Sequence, residues 1–223
     1  MARPLTIDFY HDVVCAWCFN ISPRMRALAA EFDLDIRHRT FVLQDSKEAM
    51  AERWGTLAQA RETILGHWAN CQSASDTPER INIEGMRRAR FDYPHGMEAA
   101  LACKAAELIS GQSGHWDMFD RLQSAHITES RNVEDQDVAV DLAVSLGHDR
   151  SVFRARLNDP ETRRRVEADR QQARRFQVQS IPTLIVRNTG MRLENGPIED
   201  LRTQLSFATR LAGRGGGAMS CAS

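Results

Sequence analysis

Two cysteines three positions apart, in Cys15-Ala16-Trp17-Cys18, are the residues of this chain best spaced for chemistry. At the start of a helix, unpaired backbone N–H groups and the helix dipole stabilise a thiolate. The outer sulfur can then attack a disulfide. The inner sulfur, one turn further on, attacks the mixed disulfide and releases the product. Cys15 is therefore the candidate nucleophile and Cys18 the candidate resolving thiol. Two cysteines that merely pack in a helix would be inert, but a strand before them and a helix after them favour the redox reading. One pair offers fewer thiolates than a closed zinc site takes. His11 offers a third donor, but no second pair stands nearby in sequence, so no metal is assigned.

Ile181-Pro182 is the second informative pair. Proline cannot donate to a β-ladder, so its place at the head of an apolar run is unusual. A cis bond there would turn the chain and present backbone beside the catalytic helix. Trp17 offers an apolar ring to substrate chains, and Ala16 and Ile181 complete the candidate substrate-binding set. Asp12 and His11, just before the motif, are candidates for proton transfer during exchange; the alternative is that they meet solvent or cap the helix. Cys71 and Cys103 sit in helical stretches and read as small buried hydrophobes rather than a working pair. His126 continues the face of Trp116, Phe119 and Leu122 and reads as a core histidine.

The elements that must carry these groups follow from periodicity. LTIDFY alternates with Leu5, Ile7 and Phe9 on one face, a strand leading into the cysteines. Cys18, Ile21, Met25, Leu28 and Phe32 then recur at helical steps. Leu34, Ile36 and Val42 mark a second strand, giving a β-α-β unit with a parallel pair. From Ser46 to Asn158 the chain is mostly helical in period. One stripe runs through Trp54, Leu57, Ala58, Ile64, Leu65 and Trp68. A second is Met97, Leu101, Lys104, Ala105 and Leu108, with Lys104 joining through its aliphatic stem. The Trp116–His126 face is a third, Val138, Leu142 and Leu146 a fourth that Gly147 stops, and Val152, Phe153, Arg156 and Leu157 a fifth. Ser73–Pro94 reads as loop. A helix over Glu161–Phe176 exposes Arg163, Arg164, Arg165, Arg174 and Arg175 and hides Val166, Ala173 and Phe176. A strand ending at Val186, a turn at Asn188-Thr189-Gly190, a return strand with Met191 and Leu193, and a helix with Ile198, Leu201, Leu205 and Ala208 close the chain. The expected class is α/β: a thioredoxin-like sheet built from residues 1–45 and 161–212, an inserted helical domain at 46–160, and a flexible tail at 213–223.

Composition narrows the partners. Twenty-nine basic against thirty acidic residues give a formal net charge of −1, which leaves no basic field to hold nucleic acid or an anionic membrane. No apolar run approaches the ~18 residues of a membrane-spanning helix, and the first residues lack the apolar core of a signal peptide. The cysteine count of five is odd, with Cys221 in the tail, and argues against a disulfide-stapled secreted protein. The expected address is the cytoplasm.

YHDVVCAWCFNISPRMR resembles the active-site segment of the DsbA-like thioredoxin superfamily, particularly its FrnE-like cytoplasmic branch. QVQSIPTLIV resembles that family's cis-proline segment, and the likeness extends over nearly the whole chain to about Leu211. It implies dithiol–disulfide exchange with protein or small-molecule thiols and disulfides. Cys15 and Cys18 would be the redox pair, a redox-active disulfide rather than a separate cofactor, with Pro182 facing them. Glutathione stays open as a co-substrate. Ala16 departs from the branch pattern, which has proline there, and the dipeptide between the cysteines tunes the redox poise. Two other classes stay open. One is a glutathione-dependent isomerase or transferase of the same superfamily, of the 2-hydroxychromene-2-carboxylate isomerase or kappa-class type. The other is a non-enzymatic thiol-dependent interaction or chaperone module. The intact cysteine pair argues against the former.

Overall fold

The computed structural model describes residues 4–215. A first strand, β1 (Leu5–His11), runs into helix α1 (Ala16–Glu31) and returns as β2 (Leu34–Thr40) parallel to it, with Leu5 opposite Leu34 and His11 opposite Thr40. Far along the chain, β3 (Thr183–Val186) joins the other edge of β1 antiparallel, and β4 (Met191–Leu193) pairs with β3 through the Asn188–Gly190 turn. Gly190 adopts φ 74° there, a conformation that glycine reaches without steric cost. The strand order is β2-β1-β3-β4, so β1 is central, and the turn at its carboxyl end leads to the cysteines at the start of α1.

Central placement changes how β1 is buried. Alternation puts Asp8 and Tyr10 on a polar face, but both are buried. The reason is α8 (Pro160–Arg175), which covers that second face. Tyr10 packs with Ala173, Val178 and Ile185 in a small cluster of its own. Asp8 is compensated by Arg39 at 2.9 Å and Arg187 at 2.7 Å, as a buried carboxylate requires. The five arginines of α8 expected in solvent are exposed. Phe176, expected inside, is also exposed, because α8 ends before it and the chain turns away.

Between β2 and β3 lie α2 (Lys47–Trp54), α3 (Leu57–Ser73), α4 (Ile83–Arg87), α5 (Met97–Gln123), α6 (Gln136–Ser145) and α7 (Arg150–Leu157). The single stripe read from Trp54 to Trp68 is split. Gly55, at φ 91°, ends α2, Thr56 caps α3 by accepting from the Gln59 amide, and Ala58 faces solvent. The reverse holds for the second and third stripes, which belong to one helix, α5, broken only where Gly111 takes φ 70° and ψ −160°. Lys104 is buried whole rather than by its stem, with Nζ 2.6 Å from both Glu107 and Asp169. The stretch 73–94, read as loop, includes α4 and a short 3₁₀ turn at Pro78–Arg80. Val42, expected in β2, lies beyond it at φ 60°. One core runs without interruption from Ile7 and Phe9 of the sheet to Phe119 and Leu142 of the helices. The last helix, α9 (Ile198–Gly215), buries Leu201, Leu205 and Ala208 and extends into the stretch assigned to the tail. The rest of that tail, with Cys221, lies outside the described residues.

Candidate active site

Cys15 occupies the N-cap of α1, and no side chain there caps the helix's first amides. Its sulfur therefore sits where the unpaired N–H groups and the dipole act together. Its carbonyl accepts from the amides of Cys18 at 3.0 Å and Phe19 at 3.2 Å, closing the first turn. Cys15 keeps 7% of its surface, Cys18 none. Burial raises the Cys18 thiol well above its ordinary range, and a hydrogen bond shared with Cys15 adds to the effect. Both cysteines are free thiols. The pair is thus unequal by position: one sulfur at a cavity wall, the other sealed beneath it.

Two long-range amide bonds hold this turn. Gln123, the last residue of α5, donates from Nε2 to the carbonyls of Cys15 (3.0 Å) and Val13 (3.3 Å). Tyr93 donates from its hydroxyl to the Val14 carbonyl at 3.3 Å. Just past Gln123 the helix widens into a π turn at Ser124–Thr128, a distortion frequent at functional sites. Neither residue stood out in the sequence. Tyr93-Pro94, an aromatic in an otherwise polar stretch, was the available hint.

Across from the cysteines, the Ile181–Pro182 bond is cis, and the Cys15 thiol donates to the Ile181 carbonyl over 3.8 Å. Ile181 and Pro182 are half-buried and Thr183 opens β3. Cys15, Ala16, Trp17 and Ile181 all line one cavity of about 240 Å³. Its far wall comes from the helical block: Met50, Trp54, Ile64 and Trp68, with Tyr93 and Pro94. Arg53 and His67, both exposed, supply polar groups at its rim. Trp17 is half-buried and packs against the core while lining the cavity. Trp54, Ile64 and Trp68, expected as a core stripe, line the cavity instead of only filling the core.

Asp12 and His11 part company. Asp12 is buried beneath the motif, its carboxylate accepting from the amides of Leu43 (2.7 Å) and Val14 (3.3 Å). Burial raises its pKa above the ordinary carboxylate value, with those amides opposing. Its negative charge in turn adds to the upward shift of Cys18. Gly96 lies against it, and a Cβ at that position would meet Asp12 Oδ2 at 2.3 Å. His11 instead turns to the other side of β1, where His38 Nδ1 is 3.1 Å from its Nε2. His126 is buried with Nε2 3.0 Å from the Tyr93 hydroxyl, and is not part of the cavity wall. Cys71 and Cys103 are buried free thiols; burial pushes Cys71 up to about 12 and Cys103 well above its usual range.

A strand-to-helix turn carrying a dithiol, faced by a proline at the start of an antiparallel strand, is the site of a thioredoxin-fold protein. Residues 6–206 match the DSBA-like thioredoxin domain, and the chain belongs to that family. Among solved structures it is similar to the cytosolic disulfide reductase DsbM from Pseudomonas aeruginosa, with a TM-score of 0.74 and 24% identity over 93% of this chain and 100% of that one. The same protein with GSH superposes equally well, at 0.74 and 22% identity over 92% and 100%. The oxidoreductase NmDsbA1 from N. meningitidis shares the fold at a TM-score of 0.57 and 16% identity, covering 98% and 88%. A curated relative, the ClpXP adapter protein SpxH of Shouchella clausii, is 26% identical over 186 residues, 83% of this chain. The chain spans only 59% of that relative's length. Among the described residues no helix is long and apolar enough to cross a membrane.

Proposed function

We propose that this protein is a thiol–disulfide oxidoreductase that works through Cys15 and Cys18 in a reducing, cytoplasmic setting. The observation that carries the reading is the inequality of the two sulfurs: Cys15 at the uncapped helix start and the cavity wall, Cys18 sealed and held protonated below it. In the reducing direction, the Cys15 thiolate attacks a substrate sulfur. A Cys15–substrate bond forms, the substrate disulfide breaks, and the departing thiolate takes a proton. Cys18 then loses its proton, attacks the Cys15 sulfur and expels the second substrate thiolate. Two electrons pass to the substrate, and the Cys15–Cys18 disulfide is re-reduced by two external thiols such as glutathione. Asp12, with its affinity for protons increased by burial, is the group suited to accept the Cys18 proton in that second step.

The cavity fits thiol substrates with an apolar portion. An extended substrate segment would lie between Trp17 and Ile181, with the rim cation of Arg53 available to a carboxylate of the kind glutathione carries. DsbM is described with GSH, which supports glutathione as a co-substrate. The test is reduction of insulin by the full chain with glutathione or a dithiol as donor. Turnover that disappears in Cys15→Ser supports the reading, and absence of turnover with either donor overturns it. The SpxH relatives favour a second reading, a protein-binding adapter that uses the same cavity wall. That reading predicts client binding that survives Cys15→Ser with no turnover in the unaltered chain.

A further inference from the structure

On the face of β1 away from Asp8 and Tyr10, three histidines from three elements converge. His11 ends β1, His38 lies in β2 and His115 in α5. All three are buried, at 1%, 0% and 0% exposure. Their ring centroids are 5.0–5.2 Å apart, and one ring nitrogen from each lies within 4.8 Å of the other two. One pair of nitrogens, His38 Nδ1 and His11 Nε2, is 3.1 Å apart. The remaining nitrogens of His11 (Nδ1), His38 (Nε2) and His115 (Nε2) have no hydrogen-bond partner. Each ring thus keeps one nitrogen without a protein partner, where a buried polar atom ordinarily has one. Neutral imidazole nitrogens are ligands for zinc and similar ions.

The surroundings suit an ion. His115 Nδ1 is 2.6 Å from Glu107 Oε2, which fixes the ring and leaves Nε2 without a partner, as outer-shell carboxylates do for metal-bound histidines. Phe9, Trp116 and Phe119 wall the rings off from water. The opposing charge is Lys104, whose Nζ bonds the His38 carbonyl at 3.2 Å, but Glu107 and Asp169 each neutralise it at 2.6 Å.

We propose that His11, His38 and His115 bind one divalent transition-metal ion of the zinc class, through nitrogen alone. Zinc–nitrogen bonds of about 2.0–2.1 Å place tetrahedral ligand atoms about 3.4 Å apart, so side-chain rotation must close the widest nitrogen separation. Such an ion ties both parallel strands to α5. It sits on the chain segment that leads into Cys15 and takes no ligand from the redox pair.

The test uses the full chain carrying Cys15→Ser and Cys18→Ser, which removes competing thiolates at the redox site. After chelator treatment it is titrated with Co²⁺. The expected result is one bound equivalent, a visible d–d spectrum without a sulfur-to-cobalt charge-transfer band, and a raised melting temperature. Adding His115→Gln abolishes these changes, and adding Glu107→Gln weakens binding about 10–100-fold. No binding to the double-cysteine variant, a thiolate charge-transfer band, or binding untouched by both further substitutions overturns the proposal. If His115→Gln fails to fold, the Glu107→Gln affinity and the spectrum of the double-cysteine variant decide between these outcomes.

Discussion

Acid should unfold this protein early, because its buried histidines refuse protons. His126 is fully buried, with its Nε2 3.0 Å from the Tyr93 hydroxyl, and burial lowers its pKa to about 3. In the unfolded chain a histidine titrates near 6.5. Below that value the unfolded chain takes up a proton that the folded chain rejects, so stability present at neutral pH is lost as the pH falls. For His126 the loss between about pH 7.5 and about pH 5 is ~2 kcal/mol. Burial lowers His11, His38 and His115 as well, so each pushes the same way, with the same ~2 kcal/mol as its ceiling. Asp12 and Asp120 are raised by burial and oppose the trend, but only above the ordinary carboxylate range. Glu107, held down to about 2, begins to cost stability only at lower pH still. Against a total of about 5–15 kcal/mol, losses of this size matter. Urea unfolding with a chelator present, at both pH values, measures them. His126→Gln keeps an N–H donor for the Tyr93 hydroxyl oxygen and should flatten the pH dependence by about 2 kcal/mol. A stability independent of pH over this range, or a variant that parallels the unaltered chain, refutes the reasoning.

Other consequences are equally direct. Iodoacetamide at neutral pH should modify Cys15 well before Cys18, since burial holds the Cys18 thiol protonated; intact-mass kinetics report the order, and equal rates contradict the site description. Gly96→Ala drives a methyl into the Asp12 carboxylate and should cost about 1–3 kcal/mol in urea unfolding. The same variant should slow the resolving step in stopped-flow measurements. Replacing Cys71 and Cys103 together by Ala should leave insulin reduction per folded molecule intact, because both thiols are sealed and neither lines the cavity; loss of turnover in a folded variant would make one of them a redox partner.

Local signals made the framework legible. The Cys-x-x-Cys spacing, the alternation before it and the Asn-Thr-Gly turn each encode an element within a few residues, and β1, α1 and the β3–β4 hairpin stand where those signals put them. What depended on distant chain was not legible. Asp8 and Tyr10 alternate with the apolar face of β1, and nothing near them announces that α8 will cover them. The two stripes of α5 read as separate helices because Gly111 interrupts the period without ending the element. At the site, the sulfurs were visible from spacing, whereas Gln123 and Tyr93 reach the motif across 108 and 79 positions and follow no pattern. The histidine cluster was hidden for the same reason: His38 and His115 come to His11 through strand pairing and helix packing.

Removing the inner thiol tests the assignment of Cys15 as nucleophile most directly. Cys18→Ser leaves Cys15 at the helix start but takes away the group that releases a mixed disulfide. Incubated with an oxidised peptide or glutathione disulfide, this variant should accumulate one covalent adduct per chain. Peptide mapping should place the adduct on Cys15, and reductant should dissolve it, while Cys15→Ser and the unaltered chain accumulate none. Failure of Cys18→Ser to trap any disulfide, or trapping at Cys71 or Cys103 instead, would contradict the assignment of Cys15 as the nucleophile.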